Sequence, residues 1–176
     1  MTDAQVRNIF LVGFMGAGKT AVGKVLAGKI GYEYRDADKI AEAKAGMSVT
    51  EIFAGRGEEG FRELESEILA ELAKGEGQVV STGGGAVTRP GNWDAMKSGG
   101  VIVYLKASPE TIWERVRYSK TRPLLQVENP FETVKELLSK RAHLYELADA
   151  IVVTDGRAPA GIAGEIAGFL ASRGAK

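Results

Sequence analysis

Cysteine is absent from the 176 residues of this chain. That removes disulfide frameworks, thiol nucleophiles and thiolate metal sites together. Histidine occurs once, at His143; without matching partners it reads as incidental rather than as a metal ligand or general base. A net charge is missing too. The 23 basic residues balance 23 acidic ones, so no global field favours nucleic acid or anionic lipid. No apolar run approaches the ~20 residues of a membrane span. Residues 1–8 lack the apolar stretch of a signal peptide. A cytoplasmic protein, bound to neither nucleic acid nor membrane, is the expectation. What is present in ordinary proportion, 44% hydrophobic and 26% charged residues, suits one soluble domain over 1–176 with a real core.

Glycine is the abundant residue, with 23 copies, and its placement carries the chemistry. The run Gly13-Phe-Met-Gly-Ala-Gly-Lys19-Thr20 fits the phosphate-binding pattern G-x-x-x-x-G-K-[ST]. An apolar run precedes it, and Val22, Val25, Leu26 and Ile30 follow at helical spacing. A triphosphate needs many inward-pointing N–H groups, and glycine lets backbone curl closely around it. Lys19 supplies a point charge for the outer phosphates, Thr20 a hydroxyl for a magnesium ion, and the helix N-terminus a partial positive charge.

Five apolar runs read as strands: Ile9–Val12, Tyr32–Arg35, Val79–Ser81, Val101–Leu105 and Ile151–Val153. Most are rich in Val, Ile and Leu with little alternation, as in a sheet buried on both faces. Helical patterns between them imply right-handed βαβ crossovers and a parallel sheet. Ser48 to Glu51 has the form of a capping box. A helical stripe of Phe61, Leu64, Ile68, Leu69 and Leu72 spans about 58–73, and Ser108-Pro109 reads as an N-cap and first helical residue. Leu144 and Tyr145 belong to a further apolar stripe with Val134, Leu137 and Leu138. The stretch 118–130 lacks periodicity and is rich in charge and proline, which predicts a mobile surface loop. The scarcity of a sustained exposed apolar stripe favours a monomer.

Loops leaving the C-terminal ends of parallel strands gather at one edge, where ligands bind. Asp36-Ala-Asp38 follows strand two. One carboxylate could hold magnesium through water while the other faces an acceptor hydroxyl; Asp38 as a helix N-cap with Asp36 a turn residue would fit the same pattern. Thr82-Gly83-Gly84-Gly85 follows strand three and would let a small ligand approach backbone closely. Arg62 and Glu65, three apart on a helix, could form a surface pair or aim a guanidinium at an anionic substrate. Arg122-Pro-Leu-Leu125, with Lys120, Arg115 and Arg117 upstream, could close over a triphosphate. Arg141 is a second candidate carboxylate clamp or an ordinary helix-surface charge.

In this order, these motifs resemble the shikimate kinase family over nearly the whole chain: the run Gly13–Thr20, D-A-D at 36–38, G-E-E-G-F-R-E-L-E at 57–65, T-G-G-G at 82–85, R-P-L-L at 122–125 and R-A-H-L-Y at 141–145. The first is generic to many NTPases; the combination is specific. The resemblance implies an α/β, three-layer P-loop fold with a five-stranded parallel sheet in order 2-3-1-4-5, helices on both faces, a lid near 117–130 and a substrate-binding helical segment near 36–65. It implies Mg-dependent transfer of the ATP γ-phosphoryl to the 3-hydroxyl of shikimate, in chorismate and aromatic amino acid synthesis.

By the same resemblance, Gly13, Met15, Gly16, Ala17, Gly18, Lys19, Thr20 and Ala21 serve ATP. Thr20 and, outside the first shell, Asp36 serve one magnesium ion. Asp38 faces the acceptor hydroxyls as candidate base. Arg62 and Arg141 hold the shikimate carboxylate, Glu65 supports Arg62, and Gly83, Gly84 and Gly85 line the ring. Arg122 joins Lys19 and Asp38 as catalytic by neutralising the transferring phosphate, and Arg115, Arg157 and Pro159 match the adenine surroundings. His143 departs from the proline common at that place in the family, which touches only the local helix ending.

Overall fold

The computed structural model describes residues 6–120 and 125–174. The strands are β1 (Asn8–Val12), β2 (Glu33–Asp36), β3 (Gln78–Ser81), β4 (Val101–Lys106) and β5 (Ala150–Val153). They form one sheet in the order β2-β3-β1-β4-β5, parallel at every pairing. The helices are α1 (Lys19–Ile30), α2 (Ala37–Ala45), α3 (Val49–Lys74), α4 (Pro90–Gly99), α5 (Pro109–Val116), α6 (Pro130–Tyr145) and α7 (Pro159–Gly174), and a 3-10 turn lies at Ala86–Thr88.

Every residue of β1 and β3 is buried, and so are the first five of β4. Their continuous apolar runs follow from helices covering both faces of the sheet. The edge strands β2 and β5 are far more exposed. Helix α1 packs along α7, and α3 along α4 and α2. The sequence places β2 one residue early. Tyr32 closes α1 instead, its N–H donating to the Ala27 carbonyl, while Asp36 enters the ladder opposite Ser81.

The local signals act as their chemistry requires. Ser48 and Glu51 form a reciprocal capping box at α3, and the Ser108 hydroxyl accepts from the Thr111 N–H to start α5. The stripe expected over 58–73 is the second half of α3. Gly57, at φ 70° and ψ 177°, kinks the helix just before it, a conformation closed to most side chains. The segment expected as a surface loop is anchored at one point: Leu125 is buried in the core, because an apolar side chain gains by leaving water even from a polar loop. Residues 121–124, Arg122 among them, lie outside the described residues.

Candidate active site

Three turns meet at the C-terminal edge of the central strands. The loop after β1 curls through Gly16 (φ 75°) and Gly18 (φ 100°) into α1. Lys19 folds back over it, its Nζ donating to the carbonyls of Gly13 at 2.6 Å and Phe14 at 2.9 Å. The ammonium is thereby held against the loop, in the lining of the cleft. Beside this loop, after β2, Asp36 caps α2: its Oδ1 accepts from the Asp38 N–H at 3.0 Å and the Lys39 N–H at 3.2 Å. That fixes Asp38, the second residue of the helix, within its first turn and in the lining of the cleft. The residues by themselves allowed Asp38 as the cap with Asp36 a turn residue; Asp36 is the cap instead, because its carboxylate accepts from the first free N–H groups of α2, and both aspartates line the cleft.

The third turn, after β3, is braced from below. The Thr82 hydroxyl and N–H both donate to the Leu11 carbonyl of β1, and the Ser81 hydroxyl donates to the Lys19 carbonyl. Each following glycine then faces a different part of the site at a range that a side chain would spoil. A Cβ on Gly83 would stand 2.5 Å from Glu65 Oε1 and 3.2 Å from Asp38 Oδ1. On Gly84 it would press on the Met15 N at 3.3 Å, and on Gly85 it would collide with the Arg62 guanidinium. Three glycines in succession are the cost of bringing two carboxylates, the phosphate loop and an arginine onto one turn.

A cleft of about 350 Å³ unites these parts, lined by Met15, Gly16, Gly18 to Ala21, Asp36, Asp38, Ser81 to Gly84 and Arg115. Arg62, Glu65 and Gly85 are outside that lining but continue from it through the glycine turn: Gly83 abuts Glu65, and Gly85 abuts the Arg62 guanidinium; this is the inner end. Arg62 Nη1 donates to Glu65 Oε2 at 2.7 Å, with the Glu65 side chain 2% exposed and that of Arg62 12%. Arg141 lies 5.8 Å over the ring of buried Phe14 and is close enough to Glu65 to favour its ionised form. Among the described residues no carboxylate forms an ion pair with Arg141. Arg62 also pairs at 3.7 Å with the exposed Glu58, so of the two guanidinium groups here only that of Arg62 is paired with carboxylates among the described residues.

The titrations follow from this crowding. Burial pushes the Asp38 carboxyl above its ordinary value, and the Asp36 charge adds to the rise against the opposing pull of Lys19 and Arg62. Burial likewise raises Glu65, and Arg62 only partly offsets it. Glu65 Oε1 is buried without a hydrogen-bond partner among the described residues. The donors at the outer end are oxygens alone: the Thr20 hydroxyl, the Asp36 and Asp38 carboxylates and the Ser81 hydroxyl. That set suits magnesium, which takes one or two carboxylates and keeps several waters.

The remaining sequence-predicted residues separate. Arg115 lines the cleft and braces the loop, its Nη1 donating to the Gly16 carbonyl at 2.9 Å and its Nη2 to the Thr154 carbonyl at 3.4 Å. Arg157 is outside the cleft lining, bonded to the Val153 carbonyl and paired with Glu165 at 2.7 Å. Pro159 opens α7 just beyond. His143 is exposed on α6.

Sequence reasoning passed over several groups that shape the cleft. Tyr34 donates to Asp36 Oδ2 at 3.4 Å from a place facing Thr20 and Ser81. Tyr145 reads from the sequence as one more apolar residue of α6; its hydroxyl donates to the Gly84 carbonyl at 2.5 Å. The available signal was its position one helical turn after Arg141, which puts both on one face.

The shikimate kinase family model matches residues 15–171. The shikimate kinase of Thermodesulfovibrio yellowstonii is 47% identical over 92% of this chain and 93% of its own length. That of Cupriavidus pinatubonensis is 44% identical over 92% and 88%. Among solved structures, shikimate kinase from Acinetobacter baumannii in complex with shikimate superposes with a TM-score of 0.92 at 41% identity, covering 96% of this chain and 94% of that one. With one parallel sheet in the order 2-3-1-4-5, a glycine-rich phosphate loop and an acceptor pocket on the same strand edge, this chain belongs to the shikimate kinase family.

Proposed function

We propose that the chain transfers the γ-phosphoryl group of ATP to the 3-hydroxyl of shikimate, giving shikimate 3-phosphate and ADP for chorismate and aromatic amino acid synthesis. The observation that carries this reading is the charge inventory of the inner cleft: Arg62 paired with Glu65 beside an Arg141 that has no acidic partner among the described residues. A compact acceptor with one carboxylate would complete that balance, and guanidinium groups grip carboxylates in a planar, bidentate way.

Phosphoryl transfer asks for positioning and charge neutralisation more than covalent chemistry. The loop from Gly13 to Ala21 would hold the triphosphate through backbone N–H groups, with Lys19 exchanging its loop carbonyls for phosphate oxygens. Gly83, Gly84 and Gly85 would admit the ring, and Asp38 would accept or orient the hydroxyl proton. Its raised proton affinity suits a base poised nearer neutral pH. Thr20 and, through water, Asp36 would hold one Mg2+, whose charge offsets that on the phosphate oxygens. Arg122 would add positive charge from the lid, and Arg115, Arg157 and Pro159 would flank adenine. The enzyme would act as a monomer, one domain over 1–176, in the cytoplasm where ATP is available. No described helix is long and apolar enough to cross a membrane.

Coupled measurement of ADP release tests the reading. ATP consumption should be strongly stimulated by shikimate and by magnesium. Turnover driven by another polyol acid such as gluconate, and not by shikimate, overturns it.

A further inference from the structure

Tyr145 stands where α6 meets the glycine turn, with Arg141 and Arg62 acting on its hydroxyl. It is 0% exposed at the C-terminal end of α6. Its ring stacks on Tyr104 of β4, with centroids 5.0 Å apart and planes at 21°, so neither tilt nor rotation is free. Its hydroxyl donates to the Gly84 carbonyl at 2.5 Å. The Arg141 guanidinium, one turn earlier on the same helix, faces that hydroxyl and favours its ionised form, as Arg62 does more weakly; burial nevertheless pushes the phenol up to about 12. The group thus remains a neutral donor at any working pH.

The neighbouring glycine carbonyls are held from within the turn. The Gly83 carbonyl accepts from the Ala86 N–H, and that of Gly85 from the Thr88 N–H and hydroxyl. The Gly84 carbonyl instead takes its hydrogen bond from a different element, 61 residues away. The Gly84 carbonyl and the Gly85 N–H share one planar trans peptide and point in opposite directions. Whatever fixes the carbonyl therefore aims the N–H. Glycine leaves this peptide free to rotate by itself, so its orientation has to come from outside.

Resting on the shikimate reading above, we infer that Tyr145 is a positioning residue: its hydroxyl fixes the Gly84–Gly85 peptide and backs Arg141, so that backbone N–H and guanidinium meet the acceptor in one preset geometry. The effect should fall on acceptor binding and spare ATP.

Tyr145→Phe keeps the ring stack and removes only the donor. The expected result is a rise of about tenfold in the KM for shikimate, the size of one hydrogen bond to the acceptor lost when the Gly85 N–H is no longer aimed, with the KM for ATP within twofold. Replacement by 4-aminophenylalanine, which restores a donor at the same place, should recover most of the loss. Tyr104→Phe, which strips the hydroxyl from the other ring of the stack, should leave both constants within twofold. Thermal melting accompanies each assay. Unchanged shikimate KM in folded Tyr145→Phe overturns the inference, and so does a rise that 4-aminophenylalanine fails to reverse. Failure of Tyr145→Phe to fold overturns it as well, since the hydroxyl would then be needed for the fold and not for positioning. A wild-type enzyme that does not turn over shikimate refutes the parent reading instead.

Discussion

The two ends of the cleft are built by opposite strategies. The donor end is one continuous stretch, Gly13 to Ala21, that presents mainly backbone and a single lysine. The proposed acceptor end is drawn from α2, α3, the turn after β3 and α6, and its side chains act on one another and on that turn, as Arg62 does on Glu65 and Tyr145 on the Gly84 carbonyl. Backbone N–H groups in a fixed curl suit any triphosphate, because phosphate oxygens are alike. A particular small acceptor has to be met by side chains whose identity and distance are both specified. The donor end is therefore robust and general, while the acceptor end is specific and electrostatically tense.

The sharpest way to separate the two ends is Asp38→Asn. It should lower turnover by roughly 10²–10⁴-fold while ATP affinity, read by equilibrium titration, stays within about twofold; near-normal turnover would remove Asp38 as an essential group. The same variant has a second signature. Because the folded carboxyl has a raised pKa, its contribution to stability is present below the ordinary carboxylate value of ~4 and is lost as pH rises through the raised one. Asp38→Asn should then melt a few degrees above wild type at neutral pH, with the difference vanishing in acid. A variant that melts lower at neutral pH would contradict the cost of burying the Asp38 charge, to which Asp36 adds.

Lys19→Ala attacks the other end and should cost roughly 10²–10³-fold in turnover, with the KM for ATP raised and the affinity for shikimate in direct binding nearly unchanged. Equal loss of both affinities would mean the ends are not separable. Within the acceptor end, Arg62→Ala should raise the shikimate KM about 10²-fold and also lower the melting temperature by several degrees, because Glu65 is left buried and unpaired. Arg141→Ala should raise that KM by about tenfold with melting within roughly 2 °C, since among the described residues it leaves no paired acid behind. Similar melting of both arginine variants would break this distinction. The smallest effect belongs to Gly84→Ala, whose Cβ would press on the Met15 N at 3.3 Å. A shift of about twofold to fivefold in both KM values would mark it as the seam between the ends.

Legibility in the sequence follows the same division. The phosphate loop could be read because its function is local: spacing, glycine and lysine act within eight consecutive residues. The strand order was implied by family resemblance, and buried parallel strands betrayed themselves as unbroken apolar runs. The acceptor residues could be collected as motifs, and the resemblance turned Asp38 toward the acceptor, but the residues alone did not say which of Asp36 and Asp38 caps α2. Both residues satisfy the composition rule for a cap. Tyr145 escaped because apolar periodicity counts its ring and ignores its hydroxyl, whose partner lies 61 residues away. Leu125 escaped because a polar, proline-bearing loop hides a single buried anchor.

By itself, then, the sequence determined that this chain makes a parallel α/β sheet with a triphosphate loop on its carboxyl edge. Local spacing and apolar runs encode such features directly. Only the tertiary structure decided that Gly83 abuts Asp38 and Glu65, that Gly84 abuts the phosphate loop and that Gly85 abuts Arg62. Those contacts join residues far apart in the chain, where distance is set by packing of the helices on the sheet and not by any spacing that can be counted.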